Sequence, residues 1–218
     1  MRWMSERWFS EEEHEAAQHV VALVHRMRLG WMLRHLPPRF VWAGYVFFNS
    51  FVTIAVLSLL ADVTHNPFVF PSLGPTAYLF FFAPLGKSSS PRHAILGHAV
   101  GLVCGYGAYV VMGSQSFQRM ALGVVSWREV MAGALSLAAT GAVMVLLRIS
   151  HPPAGATTLI VSLGILTRME YLVMIEAAVI LLTAQAWLIN RAAGLDYPFW
   201  EKKSASRSPR PAGSTGVA

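Results

Sequence analysis

Charged residues are scarce in this chain: they make up 13% of its 218 residues, whereas hydrophobic residues make up 55%. A soluble domain usually carries about 25% charged residues. The mean hydropathy is +0.48, and the apolar residues fall in long runs. The composition therefore argues against a soluble globular domain and predicts a single integral membrane domain, whose first partner is the lipid bilayer.

Cysteine is almost absent, since Cys104 is the single one and lies in an apolar run. It cannot form an intrachain disulfide and is predicted to pack as a small hydrophobic residue. The sequence also lacks an HExxH pair, an evident nucleophile with its base and a phosphate-cradling glycine loop. We therefore predict that the protein is not an enzyme and expect no cofactor and no metal site.

Acidic residues are outnumbered, which gives a net charge of +6 and a pI near 9.9. The basic residues lie mainly at the two ends and in short connections, as expected for a membrane protein with positively charged cytoplasmic segments. No basic stripe or recognised motif accompanies them, so nucleic acid is not an expected partner.

Four apolar stretches have about the 20 residues that a membrane-crossing helix requires. Two further apolar stretches, residues 67–86 and 149–166, are interrupted by proline and glycine. The predicted fold is therefore an all-α, polytopic helical membrane protein with four full spans and two broken segments, giving four to six passages. The four predicted spans are residues 41–60, 93–112, 129–147 and 171–189.

The flanking regions have a different character from the apolar domain of residues 41–190. Residues 1–40 are predicted to form a cytoplasmic amphipathic region, with a helix over 11–28 that follows a Ser10/Glu13 capping box and with Pro37-Pro38 at its end. Residues 191–218 are predicted to be a cytoplasmic, disordered basic tail. No signal peptide is recognised, and a bacterial inner (plasma) membrane is the expected location.

A short internal repeat relates the two broken segments. Residues 71–77 (PSLGPTA) align with residues 152–158 (PPAGATT), and each stretch lies between two predicted spans. The halves would be residues 41–112 and 129–190, and paired broken segments of this kind point to a transporter site. If the broken segments cross the membrane, the halves are inverted; if they re-enter, the halves are parallel. Both alternatives place the two termini on one side, which is predicted to be the cytoplasm.

Glycine recurs at every fourth position in the second span, at Gly97, Gly101 and Gly105. Such a face of small residues permits close approach of another helix. The sequence leaves open whether this face forms a homo-oligomer or serves packing within one chain.

The candidate site is centred on His151, because an ionisable residue inside a membrane is a functional candidate by default. Pro152 and Pro153 are expected to shape the backbone and start a half-helix, whose free N–H groups would face an anion. Gly155 would allow close approach, and Thr157 would offer a hydroxyl group, although a threonine bonded to its preceding turn is the commoner case.

The first half is predicted to supply matching groups at Ser72, Gly74 and Thr76, unless this segment is only a kinked helix with its break satisfied. Arg92 is a candidate for attracting an anion to a vestibule, or an ordinary loop charge. His98, inside an apolar helix, is the second intramembrane histidine and is either paired across the bundle or bonded to a neighbouring helix.

Residues 151–157 (HPPAGAT) resemble the signature of the HPP family of integral membrane proteins. A second block, from Ala83 to Leu85 and from Pro91 to His98, is similar to another part of that family, although Ser90 replaces its usual glutamine. The resemblance implies four membrane helices, and some members from chloroplasts and cyanobacteria are implicated in nitrite transport. Gly74-Pro75-Thr76 is bulkier and stiffer than the corresponding run of the family.

The sequence therefore predicts a membrane transporter or channel for a small solute, with an anion such as nitrite as the candidate. In this hypothesis the two broken segments meet near the midplane, where their half-helix N-termini and His151 replace the hydration of the anion. If protons are coupled, histidine is the expected carrier. The alternative from another class is a non-transporting membrane scaffold or sensor, with residues 1–40 as its partner surface.

Overall fold

The computed structural model describes residues 29–66, 68–113 and 126–201, and all regular elements in these ranges are helical. This confirms the predicted all-α class. The helix predicted over residues 11–28 lies outside the described residues. The described ranges contain seven α-helices, α1 (Leu29–His35), α2 (Pro38–Thr64), α3 (Leu73–Phe82), α4 (Pro91–Met112), α5 (Trp127–Leu146), α6 (Ala154–Ser162) and α7 (Met169–Ala192), with a 3₁₀ turn at Lys87–Ser89.

Four of these helices, α2, α4, α5 and α7, are long and apolar enough to cross a membrane. They correspond to the four predicted spans. The first span begins earlier than predicted, because Pro37-Pro38 starts α2 and does not merely end the segment before it. Proline suits the first turn of a helix, where its missing N–H group would have no intrahelical partner.

One asparagine shows which helix ends lie together. Asn190, near the end of α7, accepts a 2.6 Å hydrogen bond from the hydroxyl group of Tyr45, near the start of α2. Its amide nitrogen donates to the carbonyl oxygen of Phe80 at 3.3 Å, near the end of α3. We call this the near end of the bundle and the opposite one the far end. The 10 residues of α3 therefore run toward the near end, opposite to α2, over about 15 Å.

The second broken segment also begins at the near end. A guanidinium nitrogen of Arg92, at the start of α4, lies 3.4 Å from the carbonyl oxygen of Leu147, just after α5. From there α6 runs beside α4 toward the far end, because Gly97 lies against His151 and Gly105 lies against Thr158. Both broken segments therefore pass from one end of the bundle to the other. The helices α2, α3 and α4 therefore run in directions opposite to those of α5, α6 and α7, respectively. The two halves are thus inverted, as in the first of the two predicted alternatives.

The glycine face of α4 packs against α6 within the same chain. A Cβ atom added at any of its three glycines would lie closer to that segment than real Cβ atoms come. The distances are 2.7 Å from Gly97 to His151 Cβ, 2.8 Å from Gly101 to the Ala154 carbonyl oxygen and 2.7 Å from Gly105 to the Thr158 carbonyl oxygen. Of the two uses that the sequence left open, this face serves packing within one chain.

The segment after α7 folds onto the near end of the bundle. The predicted tail begins at residue 191, whereas α7 continues to Ala192 and residues 193–201 fold back across the near end. We call residues 193–201 the strap. Tyr197 in the strap is 1% exposed, and its hydroxyl group donates to the carbonyl oxygen of Ser89. Burial raises the pKa of Tyr197. The buried ring of Tyr197 and the hydrogen bond of its hydroxyl group thus hold the strap. Residues 202–218 lie outside the described part of the chain.

Candidate functional site

A cluster of two histidines and two threonines is buried where the halves of the bundle meet. Thr76 of α3 and His98 of α4 come from the first half, whereas His151 and Thr157 come from the second. All four residues are at most 1% exposed. We call them the His–Thr cluster. Such a group of polar side chains is expected in an apolar bundle only when its members satisfy one another.

His98 joins the two broken segments directly. Its Nδ1 atom lies 2.7 Å from the Thr157 hydroxyl oxygen. Its Nε2 atom lies 3.0 Å from the Thr76 hydroxyl oxygen. One imidazole in the second turn of α4 thereby bridges α3 and α6.

His151 lies in the turn between α5 and α6, where Arg148 adopts a left-handed backbone conformation with φ of 56°. The His151 Nδ1 atom is 2.8 Å from the carbonyl oxygen of Ser88 in the 3₁₀ turn. Since a carbonyl oxygen can only accept, Nδ1 carries a proton. The ring centroids of His151 and His98 are 5.0 Å apart, so the two imidazoles are neighbours.

Thr76 is the centre of the cluster. Its hydroxyl oxygen is 3.0 Å from His98 Nε2, 3.3 Å from His151 Nε2 and 3.0 Å from the carbonyl oxygen of Ser72. The bond to Ser72 is the common bond of a threonine to its preceding turn, but the same oxygen also meets both histidines. The Ser72 hydroxyl group itself is fully buried and has no hydrogen-bond partner among the described residues.

The start of α6 differs from the prediction of free N–H groups facing an anion, and that expectation is wrong. The N–H groups of Ala154, Gly155 and Ala156 donate to the carbonyl oxygens of residues 151, 152 and 153 at 3.0–3.1 Å. The turn through Pro152 and Pro153 supplies the acceptors that the first turn of a helix lacks. The two prolines therefore shape the backbone, as predicted, and their carbonyl oxygens accept hydrogen bonds from the N–H groups of Gly155 and Ala156.

Three other predicted residues lie outside the cluster. A Cβ atom added at Gly74 would meet nothing within 4 Å, whereas one at Gly155 would lie 3.2 Å from Leu137 of α5. Arg92 lies at the near end, where its guanidinium group binds both carboxylate oxygens of Glu201 at 3.0 and 3.1 Å. The cluster itself thus gathers four of the predicted side chains, together with the backbone of Ser72.

His93 is a functional candidate that the sequence reasoning did not single out. It is fully buried, and its Nδ1 atom accepts a 2.7 Å hydrogen bond from the backbone N–H group of Ser150. Its Nε2 atom therefore donates to Glu201, at 3.1 Å. His93 lies four residues before Gly97 and so continues the glycine face of α4. That spacing is the signal that marks it as facing the 147–153 turn.

The near end is held together by the carboxylate of Glu201. The ring N–H group of His93, followed by the charge of Arg92, lowers the pKa of Glu201 from its ordinary value of 4.5. A lowered pKa means that the folded strap favours the carboxylate. Its contribution is therefore complete above pH 4.5 and is lost as the pH falls through the lower, folded value.

Acidification is accordingly expected to release the strap in this low pH range, and Glu201→Gln is expected to release it near neutral pH. Hydrogen exchange of the Arg92 amide measures the release, because this N–H group donates to the Trp200 carbonyl oxygen of the strap at 3.0 Å. Asp196→Asn is the matched control, since Asp196 is an exposed acid in the same strap whose ion pair, with Arg191 at 3.3 Å, does not involve α4. Equal protection of the Arg92 amide in Glu201→Gln and in the parent protein would contradict this role.

Comparison with known proteins agrees with the helical arrangement. The chain matches the family described as HPP, transmembrane region, over residues 36–198. It is also 33% identical over 121 residues to a transmembrane protein of Dictyostelium discoideum; the match covers 54% of this chain and 36% of that protein. The chain thus spans about a third of the length of this relative. No solved structure matches it. The family match over residues 36–198 extends from just before α2 into the strap and includes the whole His–Thr cluster. The chain therefore belongs to the HPP transmembrane-region family of multi-pass integral membrane proteins.

Proposed function

We propose that this protein is a membrane transporter or channel for a small solute and that the His–Thr cluster is the site on its path. The observation that carries the proposal is the meeting of buried histidines and threonines from two inverted halves inside an apolar bundle. Ionisable groups at membrane depth mark solute and proton pathways. Inverted repeats with discontinuous helices place the site at their interface.

A polar route connects the cluster with the near end. The Ser88 and Ser150 hydroxyl groups are 2.9 Å apart in an exposed position, and the Ser88 carbonyl oxygen binds His151 directly beneath them. The cluster is closed in this conformation, because its members are buried. Passage of a solute requires the 3₁₀ turn and the 147–153 turn to separate, and the strap holds the near side of that closure through Ser89 and His93.

A small anion such as nitrite is the proposed solute. Imidazole N–H and threonine hydroxyl groups are neutral hydrogen-bond donors that can replace part of the hydration shell of an anion. Some members of the family are implicated in nitrite transport, which supports the same class of solute. In place of the N-terminus of α6, whose first donors are occupied, the side chains of the cluster supply the donors.

We further propose that the near end faces the cytoplasm, in a bacterial inner membrane. The start of α2 and the end of α7 both lie at the near end, as do most arginines and lysines of the described connections. Cytoplasmic loops carry an excess of such residues. The near-end cations are Arg34, Arg39, Lys87, Arg92, Arg148 and Arg191, and those at the far end are Arg128 and Arg168.

Nitrite flux into liposomes that contain the purified protein tests the proposal. His151→Ala is expected to reduce flux to the level of empty liposomes, because it removes the link between the Thr76 hydroxyl group and the near-end turn. His35→Ala is the control, since His35 is an exposed histidine outside the cluster. Full flux in folded His151→Ala would contradict the site. Absence of flux for every small anion in the parent protein would contradict transport and favour a membrane scaffold or sensor.

A further inference from the structure

We propose that the His–Thr cluster binds one exchangeable proton at His151 Nε2 and that this proton is the ion that moves with the solute. This inference rests on the proposed function for its transport step, but the proton site itself follows from hydrogen-bond geometry alone. Its test therefore has one arm that does not depend on transport.

The cluster has one more hydrogen-bonding contact than it has protons when both histidines are neutral. The five contacts are Thr157–His98 Nδ1, His98 Nε2–Thr76, Thr76–Ser72 carbonyl, Thr76–His151 Nε2 and His151 Nδ1–Ser88 carbonyl. Each threonine and each neutral imidazole contributes one proton, which gives four. One contact is therefore left without a proton in the neutral cluster.

The carbonyl oxygens decide where the missing proton belongs. The Ser88 carbonyl takes the first proton of His151, and the Ser72 carbonyl takes the proton of Thr76. Thr76 can then only accept from the two histidines, and a hydroxyl oxygen has two lone pairs for this purpose. His98 fills one lone pair with its Nε2 proton and accepts from Thr157 at Nδ1. All five contacts contain a proton when His151 carries a second proton, on Nε2.

The distances match the neutral cluster with this vacancy. The contact between Thr76 and His151 Nε2 is 3.3 Å, longer than the 3.0 Å contacts from Thr76 to His98 and to the Ser72 carbonyl. Protonation needs no rearrangement of the heavy atoms, because the acceptor for the new N–H group already faces it. Thr76 is thus the acceptor that both selects the protonated nitrogen and links it to His98.

The surrounding charges set the direction from which the proton arrives. On α4 the titratable groups toward the near end are Arg92 and His93, and His93 leads to the carboxylate of Glu201. The 3₁₀ turn contributes Lys87, and α3 and α6 carry no titratable side chain, apart from Tyr78 on the exposed side of α3. Arg128 and Glu129 of α5 and Glu170 and Glu176 of α7 lie in the far half of the bundle. At the near end, Arg191 of α7 pairs with Asp196 at 3.3 Å, and Arg148 lies in the same turn as His151. Glu201 is the acid that His93 links to the turn with His151.

A proton on His151 also provides the charge that an anion needs. The cluster has neutral donors until His151 is protonated, and then it presents a cation in a low-dielectric site, where its attraction for an anion is strong. An anion and a proton would enter together as a neutral pair. During transport the charge on His151 is then paired with the anion and is not left behind when the anion departs.

Nuclear magnetic resonance of the full chain with ¹⁵N-labelled imidazoles tests the proton site without any transport. His98→Gln and His151→Gln assign the signals. We expect His98 as the Nε2–H tautomer and His151 as the Nδ1–H tautomer at high pH, and on acidification a second proton on His151 while His98 keeps its tautomer. Thr76→Val is expected to prevent this second protonation over the range in which the parent protein titrates, and Thr76→Ser, which restores the hydroxyl group, is expected to recover it. A His98 Nδ1–H tautomer, or unchanged titration of His151 in Thr76→Val, would overturn the assignment.

Liposomes with a pH-sensitive dye inside test the coupling. We expect the internal pH to fall as nitrite enters through the parent protein and through Thr76→Ser, and we expect no such change with Thr76→Val. Nitrite flux through the parent protein without a pH change would overturn proton coupling and leave the transport proposal standing. Absence of both flux and pH change would overturn the transport proposal and the coupling step, whereas the proton site would still be decided by the imidazole signals.

Discussion

Gly105→Ala and Gly101→Ala are each expected to destabilise the bundle by about 1–3 kcal/mol, the usual cost of overpacking a close contact. The reason is that the new methyl group would lie 2.7 Å from the Thr158 carbonyl oxygen in the first variant and 2.8 Å from the Ala154 carbonyl oxygen in the second. Both obstacles are backbone atoms of α6, which cannot swing aside as the end of a flexible side chain can. Helices α4 and α6 would have to move apart.

Gly107→Ala provides the matched control on the same helix. A Cβ atom at Gly107 meets nothing within 4 Å, so alanine is expected to leave stability unchanged or to raise it by up to about 1 kcal/mol through helix propensity. Denaturant unfolding in detergent micelles, followed by circular dichroism, compares the three variants. Equal midpoints for Gly105→Ala and Gly107→Ala would mean that α6 does not pack on this face.

The glycine face illustrates what the sequence can predict about the fold. A spacing of four residues predicts that one side of the helix permits close approach, and that prediction does not depend on the partner. The identity of the partner is a tertiary property, because any small or short segment in the chain, or a second copy, satisfies the same pattern. The structure selects α6, a helix of nine residues, too short to be recognised as a span by its apolar length.

The site shows the same division between local and tertiary information. His151 and His98 were predictable because an ionisable residue in an apolar run is conspicuous, and Thr76 and Thr157 were predictable because the repeat aligns their segments. The prediction of free donors at the start of α6 was wrong, because residue types alone do not show that the carbonyl oxygens of residues 151–153 accept from these N–H groups. His93 and Glu201 are 108 residues apart in sequence, and only folding of the strap brings them together.

The sequence leaves the orientation of the broken segments open, because crossing and re-entrant segments both place the two termini on one side of the membrane. The structure resolves the question through hydrogen bonds between helix ends. Asn190 ties the ends of α3 and α7 to the start of α2, which fixes the direction of α3. A polar residue in the last turns of a span is a weak signal in sequence, yet in an apolar environment it determines which ends meet.

His93→Leu is expected to loosen the near end more than any single change in the strap, because His93 holds two segments at once. Leucine removes the acceptor of the Ser150 N–H group and the donor to Glu201. A buried group that loses its hydrogen-bond partner costs about 1–3 kcal/mol. We expect a loss of stability in this range and faster hydrogen exchange at two amides, that of Ser150 and that of Arg92, which donates to the Trp200 carbonyl oxygen of the strap.

Two further variants separate the two bonds of His93. The amide oxygen of His93→Asn lies near the position of Nδ1 and is expected to retain the Ser150 bond while the strap is released. The longer His93→Gln side chain places an amide N–H group near the position of Nε2 and is expected to retain the strap while the amide of Ser150 becomes exposed to exchange. If asparagine and glutamine gave the same exchange pattern, His93 would act only by filling space. A divergence in the expected sense would show that one imidazole couples the strap to the turn that carries His151, and hence that movement of the strap reaches the His–Thr cluster through this residue.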